Sequence, residues 1–230
     1  CKHCSMGPCR LNAKDPYGKV GVCGATIDTI QARNLVRAIA AGGAAHSDHG
    51  RDMAFTLKAT ANGEAEGYTI RDVAKLRNVA SYYDIEIEGR APEEIADELA
   101  DLYIAQFGQQ KGEVVPVRRA PEKRQKIWRE QNVVPRGVDR EVVEALHRTH
   151  IGDDQDYEHI LNHAIRTGLA DGWAGSMIAT DVSDILFGTP APIVGQANLG
   201  VLKDDMVNVV VHGHEPTLSQ MIVTATQDPE

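Results

Sequence analysis

The sequence predicts a mainly α-helical protein: a short cysteine-rich segment, then a helical domain, then the first β-loop-α unit of an α/β domain. Three observations predict it. Apolar residues recur at three- and four-residue intervals through most of the chain. Ala, Gly and Val are plentiful while aromatic residues make up only 5% of the sequence, which suits closely packed helices better than a β-sandwich. One short β-branched run, at 207–211, stands between Asp204-Asp205 and Gly213 near the C-terminus, the pattern of a buried parallel strand.

Taken in order, residues 1–24 form a polar, turn-rich segment with Gly7-Pro8, Asp15-Pro16, Gly18, Gly21 and Gly24. A helical domain is expected over 25–189. Ile27, Ile30, Leu35, Val36, Ile39 and Ala40 mark an amphipathic helix over 26–45, and Gly42-Gly43 predicts a break or kink before a second helix over 46–61. Ile70, Val73, Leu76 and Val79 predict a helix over 69–81. Pro92 opens the clearest helix at a first-turn position, and Gly108 stops it. Residues 114–117 read as a short extended piece and 122–130 as an exposed, charged helix. The basic residues Arg118, Arg119, Lys123, Arg124, Lys126 and Arg129 are interleaved with acids and read as a solvated face. Asp139 is expected to cap a helix through Leu146, and Gly168 to close another that starts near Asp154. Residues 170–179 are small enough for a tightly packed helix. The Gly188-Thr189-Pro190-Ala191-Pro192 stretch places a domain boundary, leaving 190–230 as a β-loop-α unit whose helix starts at Pro216-Thr217. A lone strand makes no sheet, so the sequence reads as stopping inside that domain.

Composition narrows the function. The 230 residues carry 24 basic and 33 acidic side chains, a formal charge of −9, which argues against a nucleic-acid footprint. No apolar run reaches the roughly 18 residues of a membrane span. The chain opens on Cys1 rather than Met and shows no signal-peptide core, so something is expected to have been removed upstream, and the expected location is the cytoplasm.

All four cysteines fall within the first 23 residues, as Cys1-x2-Cys4-x4-Cys9-x13-Cys23. A secreted disulfide protein would spread its cysteines to close large loops. Four in one short segment point to one local site that binds metal. A Cys-x2-Cys turn brings two thiolates to the same side, and the glycines and prolines between ligands let the backbone wrap a cluster and aim amide N–H groups at its sulfides. Cys23 lies just before the first helix, whose N-terminus favours an anionic centre. Motif form favours a [4Fe–4S] cluster, which accepts unequal spacings. It leaves zinc and disulfide readings open, although Cys9 and Cys23 form no second zinc knuckle and His3 sits where its side chain should point elsewhere.

The segment Cys1-Lys2-His3-Cys4-Ser5-Met6-Gly7-Pro8-Cys9-Arg10, with Lys19-Val20-Gly21-Val22-Cys23-Gly24-Ala25-Thr26, resembles the cubane-cluster segment of the anaerobic nickel-type carbon monoxide dehydrogenases. Further stretches resemble that family in the same order: Arg37 to Gly42 with Ala45-His46-Ser47, His147-Arg148-Thr149, Asp184 to Pro192, and Asn198 to Lys203 through to His212-Gly213-His214-Glu215-Pro216. The likeness covers nearly the whole chain. It implies an enzyme that interconverts CO and water with CO2, two electrons and two protons at a Ni–Fe–S cluster. It also implies a helical N-terminal domain followed by Rossmann-like α/β domains. Cys1, Cys4, Cys9 and Cys23 would hold the [4Fe–4S] relay. Electrons would then pass through a cluster bridging two subunits of a homodimer to a ferredoxin-like acceptor, and an acetyl-CoA synthase partner is compatible with the likeness.

Through the same resemblance, His214 matches the histidine ligand to an iron of the active cluster. Independently, it follows the predicted strand, where open α/β sheets place their sites. His212 is expected to be structural. His46 matches the histidine that hydrogen-bonds or protonates substrate, a role that suits a side chain titrating near neutral pH. His49 shares its helical face and would extend a proton relay. The family's next two relay positions are here Asp52 and Phe55, and Phe55 cannot carry a proton. The family's subunit-bridging cysteines lie upstream of Cys1 and its active-cluster cysteines downstream of Glu230. The 230 residues therefore read as a fragment or one piece of a split protein that is inactive alone. Other readings are a non-catalytic iron–sulfur electron-transfer or scaffold protein, a hybrid-cluster relative, and a zinc-binding structural module.

Overall fold

The computed structural model describes residues 1–12, 14, 19–191, 202–211 and 216–227. Their α-helices are α1 (Ile27–Ala61), α2 (Val73–Tyr82), α3 (Pro92–Gly108), α4 (Glu122–Glu130), α5 (Val138–Arg148), α6 (Tyr157–Ala170), α7 (Ser176–Phe187) and α8 (Pro216–Ala225), with no strand among the described residues. The mainly helical expectation therefore holds.

The long helix α1 is the spine. Thr26 caps it, its hydroxyl accepting from the Thr29 amide. Ala32, Val36 and Ala40 on its first half pack against Ala145 of α5 and Ile160 and Ala164 of α6. Ala54 and Leu57 on its second half join a larger core with Leu76 of α2, Ile95, Leu99 and Tyr103 of α3, and Ile178, Val182 and Ile185 of α7. Burying each of the larger side chains contributes about 1.5–3 kcal/mol.

The expected break at Gly42-Gly43 does not occur. The helix runs straight through, because the packing of both halves outweighs the roughly 1 kcal/mol that an interior glycine costs. Small buried residues at Ala40, Gly43, Ser47, Gly50 and Ala54 form a stripe along α1. Along that stripe α6 and α7 pass close by, joined by one π-helical turn, Asp171–Gly175. Gly168 accordingly does not end α6. A π turn inserts a residue into the helical register and redirects the side chains that follow.

Helices α3 and α4 follow the sequence reading, with Pro92 at the first turn of α3 and α4 wholly without buried residues. Helix α2 starts later than expected, capped by Asp72. Residues 114–117 are not extended; they enter a 3-10 turn, Val115–Arg119, with Pro116 and Val117 buried. That turn carries Arg119 off the solvated face and inward, onto Asp181 of α7. Asp181 is 2% exposed and also accepts from Tyr103 Oη at 2.8 Å and pairs with Lys75 at 3.2 Å. Asp139 is not a cap, since Gly137 occupies that position. Its carboxylate instead takes both Arg51 guanidinium branches at 2.9 and 2.8 Å.

The strand expected at 207–211 is also absent. The segment has no ladder partner among the described residues and Val207 is 93% exposed, so its β-branched residues have nothing to pack against. The Rossmann-like start thus has no support in the described residues, although α8 begins at Pro216 as the sequence suggests.

Candidate functional site

Two sites lie along α1. The first is a cavity of about 290 Å³ at its N-terminal end, lined by Cys1, Cys4, Cys9 and Cys23. The cysteine segment folds back on itself through Cys9 N–H to the Cys1 carbonyl at 2.7 Å and Gly7 N–H to the Cys4 carbonyl at 3.3 Å. Gly21 N–H donates to the Ala25 carbonyl at 2.8 Å, which brings the Cys23 turn up against the rest. A Cβ on Gly21 would meet the Cys9 side chain at 3.4 Å, so the fourth ligand's loop lies directly on the third's.

All four cysteines are free thiols. Among the described residues no three His, Cys, Asp or Glu side chains converge closely enough to hold one metal ion. The donor set, four thiols around one shared cavity, fits a [4Fe–4S] cluster, which takes four thiolates. His3 also borders the cavity, and its Nε2 lies 2.9 Å from Asn34 Oδ1. Burial pushes the His3 pKa down.

Cys23 is embedded in polar contacts. Arg33 Nη1 donates to its sulfur at 3.5 Å, and Gln155 Nε2 to its carbonyl at 2.9 Å. Partial burial pushes the Cys23 thiol up, but hydrogen bonds from Arg33, Gln155 and the Ala25 amide outweigh it and hold the pKa at about 7. A thiol there is poised to bind as thiolate near neutral pH.

The second site is the middle of α1. His46 Nδ1 donates to Asp171 Oδ1 at 2.8 Å, and Ser176 Oγ donates to the same oxygen at 3.2 Å. Asp171 is the first residue of the π turn, so the turn presents it across the groove to His46. The contact fixes the imidazole tautomer and leaves Nε2 on the open side, where it can exchange a proton. His49 is exposed on the same helix. His214 and His212 lie outside the described residues.

Two residues escaped the sequence reading. Asp171 is 125 positions from His46, and only the glycines of Asp171-Gly172-Trp173-Ala174-Gly175 inside a helical pattern hinted at an irregular turn. Arg33 had a plainer signal, a lone cation on the apolar stripe between Ile30 and Val36.

The fold is thus mainly helical, with four thiols lining one cavity and a histidine–carboxylate pair further along the same helix, and these are features of the class of metallocluster proteins to which the comparisons point. The chain is a member of the Prismane/CO dehydrogenase family, whose model matches residues 1–230. It is 56% identical over 233 residues to carbon monoxide dehydrogenase 1 of Methanosarcina mazei, which covers 100% of this chain and 37% of that protein. It is 43% identical over 233 residues to the carbon monoxide dehydrogenase/acetyl-CoA synthase subunit beta of Moorella thermoacetica, covering 100% of this chain and 34% of the relative. Among solved structures it matches an as-isolated, nickel-free carbon monoxide dehydrogenase from Thermococcus sp. AM4 with a TM-score of 0.84 and 51% identity, over 99% of this chain and 36% of that one. The chain thus spans just over a third of the length of these relatives and matches their N-terminal part. No helix of the described residues is long and apolar enough to cross a membrane.

Proposed function

We propose that this chain is the electron-relay and proton-handling part of an anaerobic nickel–iron carbon monoxide dehydrogenase, which interconverts CO + H2O with CO2 + 2 electrons + 2 protons. The observation that carries the reading is the single cavity shared by Cys1, Cys4, Cys9 and Cys23, in a chain that belongs to the CO dehydrogenase family throughout its length. Those four thiolates would hold a [4Fe–4S] cluster, which when bound supplies one-electron storage and transfer. The protein's own part is to fix the ligands, keep donors such as Arg33 and Gln155 at Cys23, and limit water access with Met6, Val22 and Ile151 at the cavity wall.

At the second site, His46 is the group that takes up a proton when CO is oxidised and returns it when CO2 is reduced. Asp171 holds its Nδ1 and stabilises the imidazolium. His49, on the same helix, continues the path towards solvent. His214 would contribute to an iron of the Ni–Fe–S cluster. That cluster needs thiolates beyond the four that this sequence contains, so the 230 residues alone would be inactive. The division into segments 1–24, 25–189 and 190–230, the last the start of a Rossmann-like domain, belongs to the same reading. So do a homodimeric cytoplasmic enzyme, a ferredoxin-like acceptor, and an acetyl-CoA synthase partner of the kind named for the Moorella relative.

The test is the full-length gene product made anaerobically with nickel. It is expected to reduce a viologen dye with CO. Full cluster loading without that activity would favour the alternative of a non-catalytic iron–sulfur scaffold.

A further inference from the structure

Arg33 is among the largest fully buried side chains of the protein, at 1% exposure. Burying a guanidinium without a counter-charge costs several kcal/mol, so buried arginines ordinarily sit against carboxylates. Arg148, whose neighbour Thr149 lines the cavity, does so, pairing with Glu144 and Asp154. Arg33 makes no ion pair with a carboxylate among the described residues. Its Nη2 donates to the Asp154 carbonyl at 2.6 Å, its Nη1 to Cys23 Sγ at 3.5 Å, and its Nε is buried with no partner. The Asp154 carboxylate, the nearest candidate, is already taken by Arg148. The guanidinium also lines the four-thiol cavity.

We propose that Arg33 is the built-in counter-charge of the cluster held by Cys1, Cys4, Cys9 and Cys23, and that it raises the reduction potential of that cluster. This rests on the cubane reading above. Four thiolates carry more negative charge than an iron–sulfur core neutralises, and taking up an electron adds to the excess. A fixed cation in a water-poor setting therefore stabilises the reduced form more than the oxidised form, and a hydrogen bond to a ligand sulfur acts in the same direction. Both effects come from one side chain, held by the second turn of α1 and the Asp154 carbonyl so that it cannot swing into solvent. Arg33 is a positioning and tuning residue: it touches a ligand sulfur and neither binds substrate nor gains or loses an electron.

The experiment is an EPR-monitored potentiometric titration of the anaerobically made holoenzyme, with a dithionite-type donor supplying the electron through mediators. Iron and acid-labile sulfide are counted on the same samples. Arg33→Gln is expected to keep the iron and sulfide content and to lower the cluster's midpoint by at least a tenfold change in the reduction equilibrium, about 59 mV for one electron. Arg33→Lys retains the charge but not the two-branched donor set, and its midpoint falls between the two. Arg33→Met, which also removes the charge, carries the test if Arg33→Gln does not load. An unchanged midpoint in the loaded charge-removing variant overturns the proposal, because a purely structural arginine would alter thermal stability and not the potential. Wild-type protein without labile sulfide overturns the cubane reading itself, and the counter-charge proposal with it.

Discussion

Gly50 of α1 and Gly175 at the end of the π turn meet so closely that a Cβ on Gly50 would lie 2.4 Å from the Gly175 carbonyl oxygen. This contact sets the distance between the spine helix and the turn that carries Asp171. One turn earlier on the same face, Gly175 lies beside the backbone of Ser47 and His46. The His46–Asp171 pair therefore sits in a groove whose width two glycines determine.

Gly50→Ala is expected to force α1 away from the π turn and to destabilise the protein by about 1–3 kcal/mol, the usual cost of overpacking. Urea unfolding of the variant and wild type measures it. Because a small residue is otherwise better than glycine inside a helix, a stabilised variant would mean that the contact is looser than described.

The His46–Asp171 bond should matter to turnover and little to folding, since the His46 side chain is 49% exposed. In the full-length enzyme, Asp171→Asn and His46→Gln are each expected to lower CO oxidation by about 100-fold or more, the range for loss of positioned proton transfer. The double variant should be scarcely worse than either single one, as for groups that act as a unit. Additive losses would separate the two residues.

Acid stability should trace to Glu141, which is 0% exposed. Burial pushes its carboxyl up, but His163 and the side chain and amide of Arg136 outweigh this and hold it at about 2, below its ordinary 4.5. A carboxyl depressed in the folded state stabilises that state fully above its unfolded value. The contribution is lost as pH falls from about 4.5 towards about 2. Glu141→Gln is expected to lower stability at pH 7 by about 3 kcal/mol and to flatten the decline of stability through that window. Glu144 is held at about 2 in the same way, against its own burial, by Arg148 and Arg136, so some slope remains. Unfolding midpoints at pH 7, 5 and 3.5 test this, and a variant that keeps the wild-type slope contradicts it.

The parts legible in the sequence are those that short-range chemistry decides. Pro92 and Gly108 bracket α3, charge alone marks α4 as exposed, and four cysteines within 23 residues declare their site. What the sequence hid depends on partners far along the chain. Gly42-Gly43 looked like a break, and only the packing of α1 against α5, α6 and α7 keeps the helix continuous. Asp139 looked like a cap until Arg51, 88 residues earlier, claimed it. The β-branched run at 207–211 carries strand propensity, but among the described residues it has no neighbouring strand to pair with, and propensity alone makes no sheet. The contacts of Arg33 and Asp171 exist only once the 150–156 loop and the π turn are brought against α1.

The central claim is that Cys1, Cys4, Cys9 and Cys23 hold one cubane. The most direct measurement is an anaerobic count of iron, acid-labile sulfide, zinc and nickel per chain. For the 230-residue chain by itself, about four irons and four sulfides, with no nickel, are expected, and Cys9→Ser should lose most of the iron and sulfide. About one zinc with no sulfide would contradict the account and leave the four thiols as a structural metal site.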